Sequence, residues 1–198
     1  MSIDSDDAIA SLRRALEQTT PETQPVEWSQ LQIRLGDAFL ARAKSGERDC
    51  ARDAWHAYEA AAGLCRENND LDCWAVASTG LAMAWLEIAF APQGPTGVLP
   101  KAAEVCRNVI RKYPRERNPT IWAVTQGRLA TILVRMGQLW NDPHPSRSPR
   151  LLKEALQALA AASEILTEDK FPDQARTLQT LMEAAQAGLQ ATDREIRR

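Results

Sequence analysis

Histidine is nearly absent from this chain, cysteine is sparse, and no apolar run is long enough to cross a bilayer. Only His56 and His144 occur in 198 residues, too few imidazoles for the common zinc and proton-relay sites. The four cysteines, Cys50, Cys65, Cys73 and Cys106, stand apart with no Cys-x-x-Cys pair. Their spacing matches no metal or redox pattern. They read as small buried residues of a reduced, cytoplasmic protein without a bound metal. The most apolar stretch, GLAMAWLEIAFA (80–91), is too short to span a membrane and carries Glu87. The N-terminal MSIDSDDAIA is acidic and has no apolar segment of the kind a secretory signal needs. Also missing are a glycine-rich phosphate loop, a His-Glu-x-x-His helix and a serine in an elbow context. The chain is therefore expected to be no enzyme and to need no cofactor.

What is present fits a helical protein with a core. Hydrophobic residues make up 44% and charged residues 25%, ordinary for one globular or repeat domain. Net charge is −2, but unevenly placed. Residues 1–99 hold 8 basic against 15 acidic side chains, a net of −7; residues 100–198 hold 16 against 11, a net of +5. Such polarity orients a charged partner or favours head-to-tail self-association, and it equally describes solvated helix faces.

A repeat emerges from the tryptophans. PVEWSQLQIRLGDAFLARA begins at Pro25, LDCWAVASTGLAMAWLEIA at Leu71 and PTIWAVTQGRLATILVRMG at Pro119, with a weaker copy, PDQARTLQTLMEAAQAGLQ, at Pro172. Aligned on one column stand Trp28, Trp74, Trp122 and Ala175. Seven residues on come Leu35, Leu81, Leu129 and Met182, and ten on Ala38, Ala84, Ile132 and Ala185. Offsets of 0, 7 and 10 share one helix face. Proline at a first helical position loses nothing, because its missing N–H would be unpaired there. Asp70 and Asn118 are expected N-caps.

A second helix type alternates with the first. Its stripe at i, i+4 and i+7 reads Ala54/Tyr58/Ala61, Ala102/Cys106/Val109 and Ala155/Leu159/Ala162, with Ala8/Leu12/Ala15 near the N-terminus. Small residues in the stripe let antiparallel helices approach closely, and each pair leaves a face for the next pair to cover. The expectation is all-α: a right-handed α-solenoid of antiparallel helix pairs, about eight helices, forming one domain over 1–198. A lone helix (5–19) precedes repeats at about 25–70, 71–118 and 119–171, and a terminal helix (172–190) follows. The ending ATDREIRR reads as a polar cap, which favours the end of an array.

These residues resemble the tetratricopeptide repeat (TPR) family. The family's Leu-Gly-x-x-aromatic step appears as Leu35-Gly36 with Phe39, as Leu81-Ala82 with Trp85, and as Leu129-Ala130 with Leu133. The tryptophan spacings, 46 and 48 residues, exceed the standard 34. WAVTQGRLATIL is similar to the long-repeat arrays that accompany CHAT-type caspase-like proteases in bacteria. The resemblance implies a non-catalytic protein–protein interaction scaffold whose first-type helices line a concave groove. It places Ile33, Asp37, Leu40, Met83, Leu86, Glu87, Val124, Val134 and Arg135 at partner-binding positions, with Gln30, Ala41, Val76, Thr79, Gly127 and Thr131 completing the groove-facing set. The surface is mostly aliphatic and suits an apolar or amphipathic peptide or helix. The Lys/Asn/Arg set that clamps a C-terminal carboxylate is absent.

Other readings stay open at this level. The first-to-second links AKSGERDC (43–50), FAPQGPTGVLP (90–100) and WNDPHPSRSP (140–149) fall on one edge, and Trp140 beside the last is a secondary binding candidate. The basic run RKYPRERNP (111–119), with Arg111, Lys112, Arg115 and Arg117 around Tyr113, has the ingredients of a weak nucleic-acid patch. Asp37 and Glu87 are the one carboxylate pair a groove would bring face to face. No membrane partner is expected.

Overall fold

The computed structural model describes residues 2–139 and 148–196. The described residues contain eight α-helices and no strand. They are α1 (Ser2–Gln18), α2 (Pro25–Ser45), α3 (Cys50–Glu67), α4 (Leu71–Ala89), α5 (Leu99–Lys112), α6 (Pro119–Leu139), α7 (Ser148–Ser163) and α8 (Pro172–Ile196), with a 3-10 turn at Thr96–Val98. No helix among the described residues is long and apolar enough to cross a membrane.

Local sequence explains where the helices start and stop. Pro25, Pro119 and Pro172 open α2, α6 and α8, where a proline sacrifices no hydrogen bond. The two N-caps form as expected. The Asp70 carboxylate accepts from the Cys73 amide at 3.0 Å, and the Asn118 side-chain oxygen accepts from the Ile121 amide at 3.2 Å. α2 ends at Gly46, whose φ of 120° is a left-handed conformation that suits glycine. Its amide and that of Glu47 donate to the Ala43 and Arg42 carbonyls at 3.2 and 3.1 Å.

The chain folds as two compact units, Met1–Val105 and Cys106–Arg198. In the first, α1 rests on α2, α2 and α3 form a hairpin, and α4 packs against both α3 and α2. In the second, α6 and α7 pack as a pair, and α8 returns against both. Each unit thus contains the same triplet: two first-type helices in contact, with a second-type helix packed against both.

The second-type stripe is the interior of this arrangement. All nine residues of the Ala54, Ala102 and Ala155 stripes are buried. Alanine dominates because it allows close helix approach while still removing a methyl from water. The N-terminal helix departs from the expected pattern: Ala8 is exposed, and Ile9 takes the inner place beside Leu12. Burial favours the larger side chain, and a one-position rotation of α1 supplies it.

Glycines let the triplets close. The Tyr58 ring of α3 is wedged between Gly36 of α2 and Gly80 of α4. A Cβ at Gly36 would stand 2.9 Å from the ring, and one at Gly80 would overlap it. The Tyr58 hydroxyl donates to Asp37 Oδ1 at 2.6 Å. In the second unit Leu152 of α7 takes the corresponding wedge, facing Gly137 of α6 and Gly188 of α8; a Cβ there would lie 2.9 and 2.8 Å away.

One expectation from the sequence is corrected by the fold. Cys65 and Cys73 form a disulfide, with Cα atoms 5.7 Å apart, inside the range that bridging requires. The α3–α4 turn brings together two cysteines that eight positions of sequence separate. Cys106 is a buried free thiol, as expected, whereas free Cys50 is half-exposed.

Candidate peptide-binding furrow

The predicted contact residues occupy three kinds of position. Leu40, Met83, Leu86 and Val134 are 6, 7, 4 and 1% exposed. Their side chains fill the interior, which revises the expectation that they line an open surface. Their helices are long enough to be covered on more than one side, and an aliphatic residue gains most where coverage is complete. Ile33, Glu87 and Val124 are half-buried, and Asp37 and Arg135 are exposed. Ile33 leans on Ala61, Ala62 and Ala77, so it belongs partly to the core. Asp37 is engaged by the Tyr58 hydroxyl, so its carboxylate points toward α3 and already has a structural task. Trp140 and the 140–147 loop lie outside the described residues.

An open furrow is present where α6 and α8 run side by side. It has a volume of about 270 Å³. Val124, Gly127, Arg128 and Thr131 of α6 form one wall. Gln174, Thr177, Leu178 and Leu181 of α8 form the other, and Leu166 and Asp173 close one end. Three of the positions singled out on α6, Val124, Gly127 and Thr131, therefore share one depression. Arg135 continues the same helix face one turn beyond Thr131.

The furrow follows from the small residues beneath it. Gly127 presents no side chain, and a Cβ there would meet Leu178 Cδ2 at 3.2 Å. The two helices approach at that point and the surface dips. Thr131 returns its hydroxyl hydrogen to the Gly127 carbonyl at 2.9 Å, and Thr177 does the same to the Asp173 carbonyl at 2.8 Å. Both hydroxyls thereby spend their donor on their own helix. The lining is mostly apolar, with Arg128 and Asp173 the charged members.

The α8 wall is not among the positions expected from the sequence, which come only from the three tryptophan-bearing copies. The same offsets applied to the fourth copy, counted from Met182, reach Thr177, and the adjacent stripe holds Leu178 and Leu181. Only the return of α8 against α6 shows that this copy supplies a wall.

The basic 111–119 run lacks the aromatic that base stacking requires. Tyr113 is 1% exposed. Arg115 stacks over the Trp122 ring at 5.2 Å and pairs with Glu164 at 2.9 Å. Arg107 makes a two-pronged pair with Glu154 at 2.7 and 3.0 Å. Among the described residues no cluster of three or more His, Cys, Asp or Glu side chains is placed to hold a metal ion.

Comparison with known proteins gives the fold. A de novo designed helical repeat protein is similar in structure, with a TM-score of 0.59 at 15% identity, over 96% of this chain and 92% of that one. The fold is a helical repeat. No protein-family profile matches the chain, and no curated protein sequence matches it.

Proposed function

We propose that the chain is a non-catalytic, TPR-like docking module that takes an apolar or amphipathic peptide or helix in the furrow between α6 and α8. The observation that carries this reading is the furrow itself: an open, mainly apolar depression on adjacent first-type helices. A helical ligand anchors in such a depression through two or three apolar side chains, and polar groups at the ends set its direction. Val124 and Leu181, both half-buried, would receive the anchors over a floor formed by the buried Leu166 and Leu178, with Arg128, Asp173 and Arg135 setting polarity. Ile33, Asp37 and Glu87 are the other accessible residues among the predicted contacts. Val134 is buried within the second unit, and Leu40, Met83 and Leu86 are buried within the first, so none of the four offers a contact surface. Docking onto a preformed depression needs little rearrangement. A cytoplasmic setting rests on the acidic N-terminal sequence without an apolar signal segment, and an association with CHAT-type proteases on the sequence resemblance.

The test is selection from a display library of helical and extended peptides against the wild-type chain, with Val124→Asp and Leu181→Asp as competitors. Both residues are half-buried, so folded variants are expected; circular dichroism checks this first. Peptides that bind wild type and lose at least tenfold in affinity for both folded variants support the reading. Peptides that bind all three proteins equally refute the furrow as the docking surface.

The charge asymmetry favours a second reading, head-to-tail self-association between the −7 and +5 halves. Light scattering after size exclusion separates the two, because charge-driven association dissolves as salt rises.

A further inference from the structure

We infer that Cys65 and Cys73 form a reversible dithiol/disulfide site on a corner that keeps its shape in both redox states. The corner is held by bonds that do not involve sulfur. The Asp70 amide donates to the Cys65 carbonyl at 2.8 Å, and the Asp70 carboxylate accepts from the Cys73 amide at 3.0 Å. One residue therefore ties the backbone of both cysteines. Asn69 makes the reversal at a φ of 57°, which asparagine tolerates. Amides of Asn68 and Asn69 close the end of α3 on Leu64 and Arg66, and the Asn68 side chain adds a further bond to the Leu64 carbonyl at 2.9 Å. With the sulfur–sulfur bond opened, every one of these contacts remains. The two thiols then stay close, and closing the bond again fixes little additional chain.

The two sulfurs differ in access. Cys65 is 2% exposed, whereas Cys73 is half-buried in the first turn of α4. An external thiol or disulfide meets Cys73 first. In the oxidising direction the Cys73 thiolate attacks a low-molecular-weight disulfide, forming a mixed disulfide and releasing one thiol. The Cys65 thiolate then attacks the Cys73 sulfur and expels the second thiol. Two protons and two electrons leave the cysteine pair, and one small disulfide becomes two small thiols. A dithiol reductant reverses the sequence, with Cys65 the leaving group in its first step. Free Cys50 and Cys106 take no part: they lie apart from the corner in sequence, and Cys106 is buried.

The experiment equilibrates the purified full chain in glutathione buffers of graded oxidised-to-reduced ratio, followed by acid quench, maleimide labelling and peptide mass mapping. A Cys50→Ala/Cys106→Ala variant run in parallel removes the other thiols. The expected result is that Cys65 and Cys73 lose their labels together as the ratio rises and regain them with dithiothreitol. Far-UV circular dichroism should superimpose in the two states, with a Tm lower by about 5 °C on reduction, the order expected for opening a short loop. Three outcomes would overturn the inference. The pair could stay fully labelled at every ratio, resist dithiothreitol in the native protein, or lose helical signal on reduction.

Discussion

Gly80→Ala is a harmless substitution by helix propensity and a harmful one by packing, so its sign tests the account of how α2, α3 and α4 close. Alanine in place of glycine inside a helix gains about 1 kcal/mol. Against this, the new methyl overlaps the Tyr58 ring, which is 1% exposed and pinned on its other side by Gly36. Overpacking of a filled site costs about 1–3 kcal/mol. Moving the ring to relieve it also disturbs the 2.6 Å hydrogen bond to Asp37, a bond to a charged acceptor worth about 1.5–3 kcal/mol. The costs exceed the gain, and the expected net loss is about 2 kcal/mol, or a Tm lower by about 4–8 °C for a chain of this size. Gly63 supplies the control. It too lies inside a helix, α3, but a Cβ there meets nothing within 4 Å, so Gly63→Ala should stabilise by about 0.5–1 kcal/mol. Thermal and urea melts by circular dichroism read both variants. Adding Tyr58→Leu should shrink the penalty of Gly80→Ala, since the overlap disappears with the ring. A Gly80→Ala protein as stable as Gly63→Ala would refute the wedge.

Neighbouring positions on α6 should behave oppositely. Val134→Asp places an unpaired charge at a site 1% exposed and should unfold the second unit, costing about 4 kcal/mol or more. Arg135→Glu, on the exposed side, should change stability by about 0.5 kcal/mol or less; circular dichroism melts distinguish the two. Burial pushes the Cys106 thiol up to about 12 from its ordinary 9.0, with Arg128 and Arg107 pulling weakly the other way. The stability this neutral thiol contributes is full below pH 9 and is lost as pH rises toward 12. Unfolding free energies from urea melts should therefore fall above about pH 9, by about 1.4 kcal/mol per pH unit, and Cys106→Ala should flatten that fall. The Arg107–Glu154 pair is about one-third exposed on each side, so Glu154→Gln should cost about 1 kcal/mol or less, and the difference should shrink in about 1 M salt.

Much of the fold was legible because it is written in short-range chemistry. Pro25, Pro119 and Pro172 and the caps at Asp70 and Asn118 set helix starts through bonds within a few residues. The alanine-rich stripes announced their burial by spacing alone. The contact residues were less legible because an aliphatic side chain on a helix reads the same whether it faces a partner or a second layer of core. Leu40, Met83, Leu86 and Val134 fell on that ambiguity, and only packing resolved it. The α8 wall was hidden for a related reason. The fourth copy has alanine where the others have tryptophan, yet its leucines line the furrow.

The sequence by itself determined the helices, their alternation and the buried stripe, because periodicity and end chemistry act within a single segment. Tertiary structure alone decided which first-type helices pair, that Tyr58 and Leu152 are the wedges between glycines, and that a furrow opens over Gly127. It also decided that Cys65 meets Cys73. Each of these depends on the distance between segments remote in sequence or folded back on one another, and that distance is fixed by how the whole set of side chains fills space.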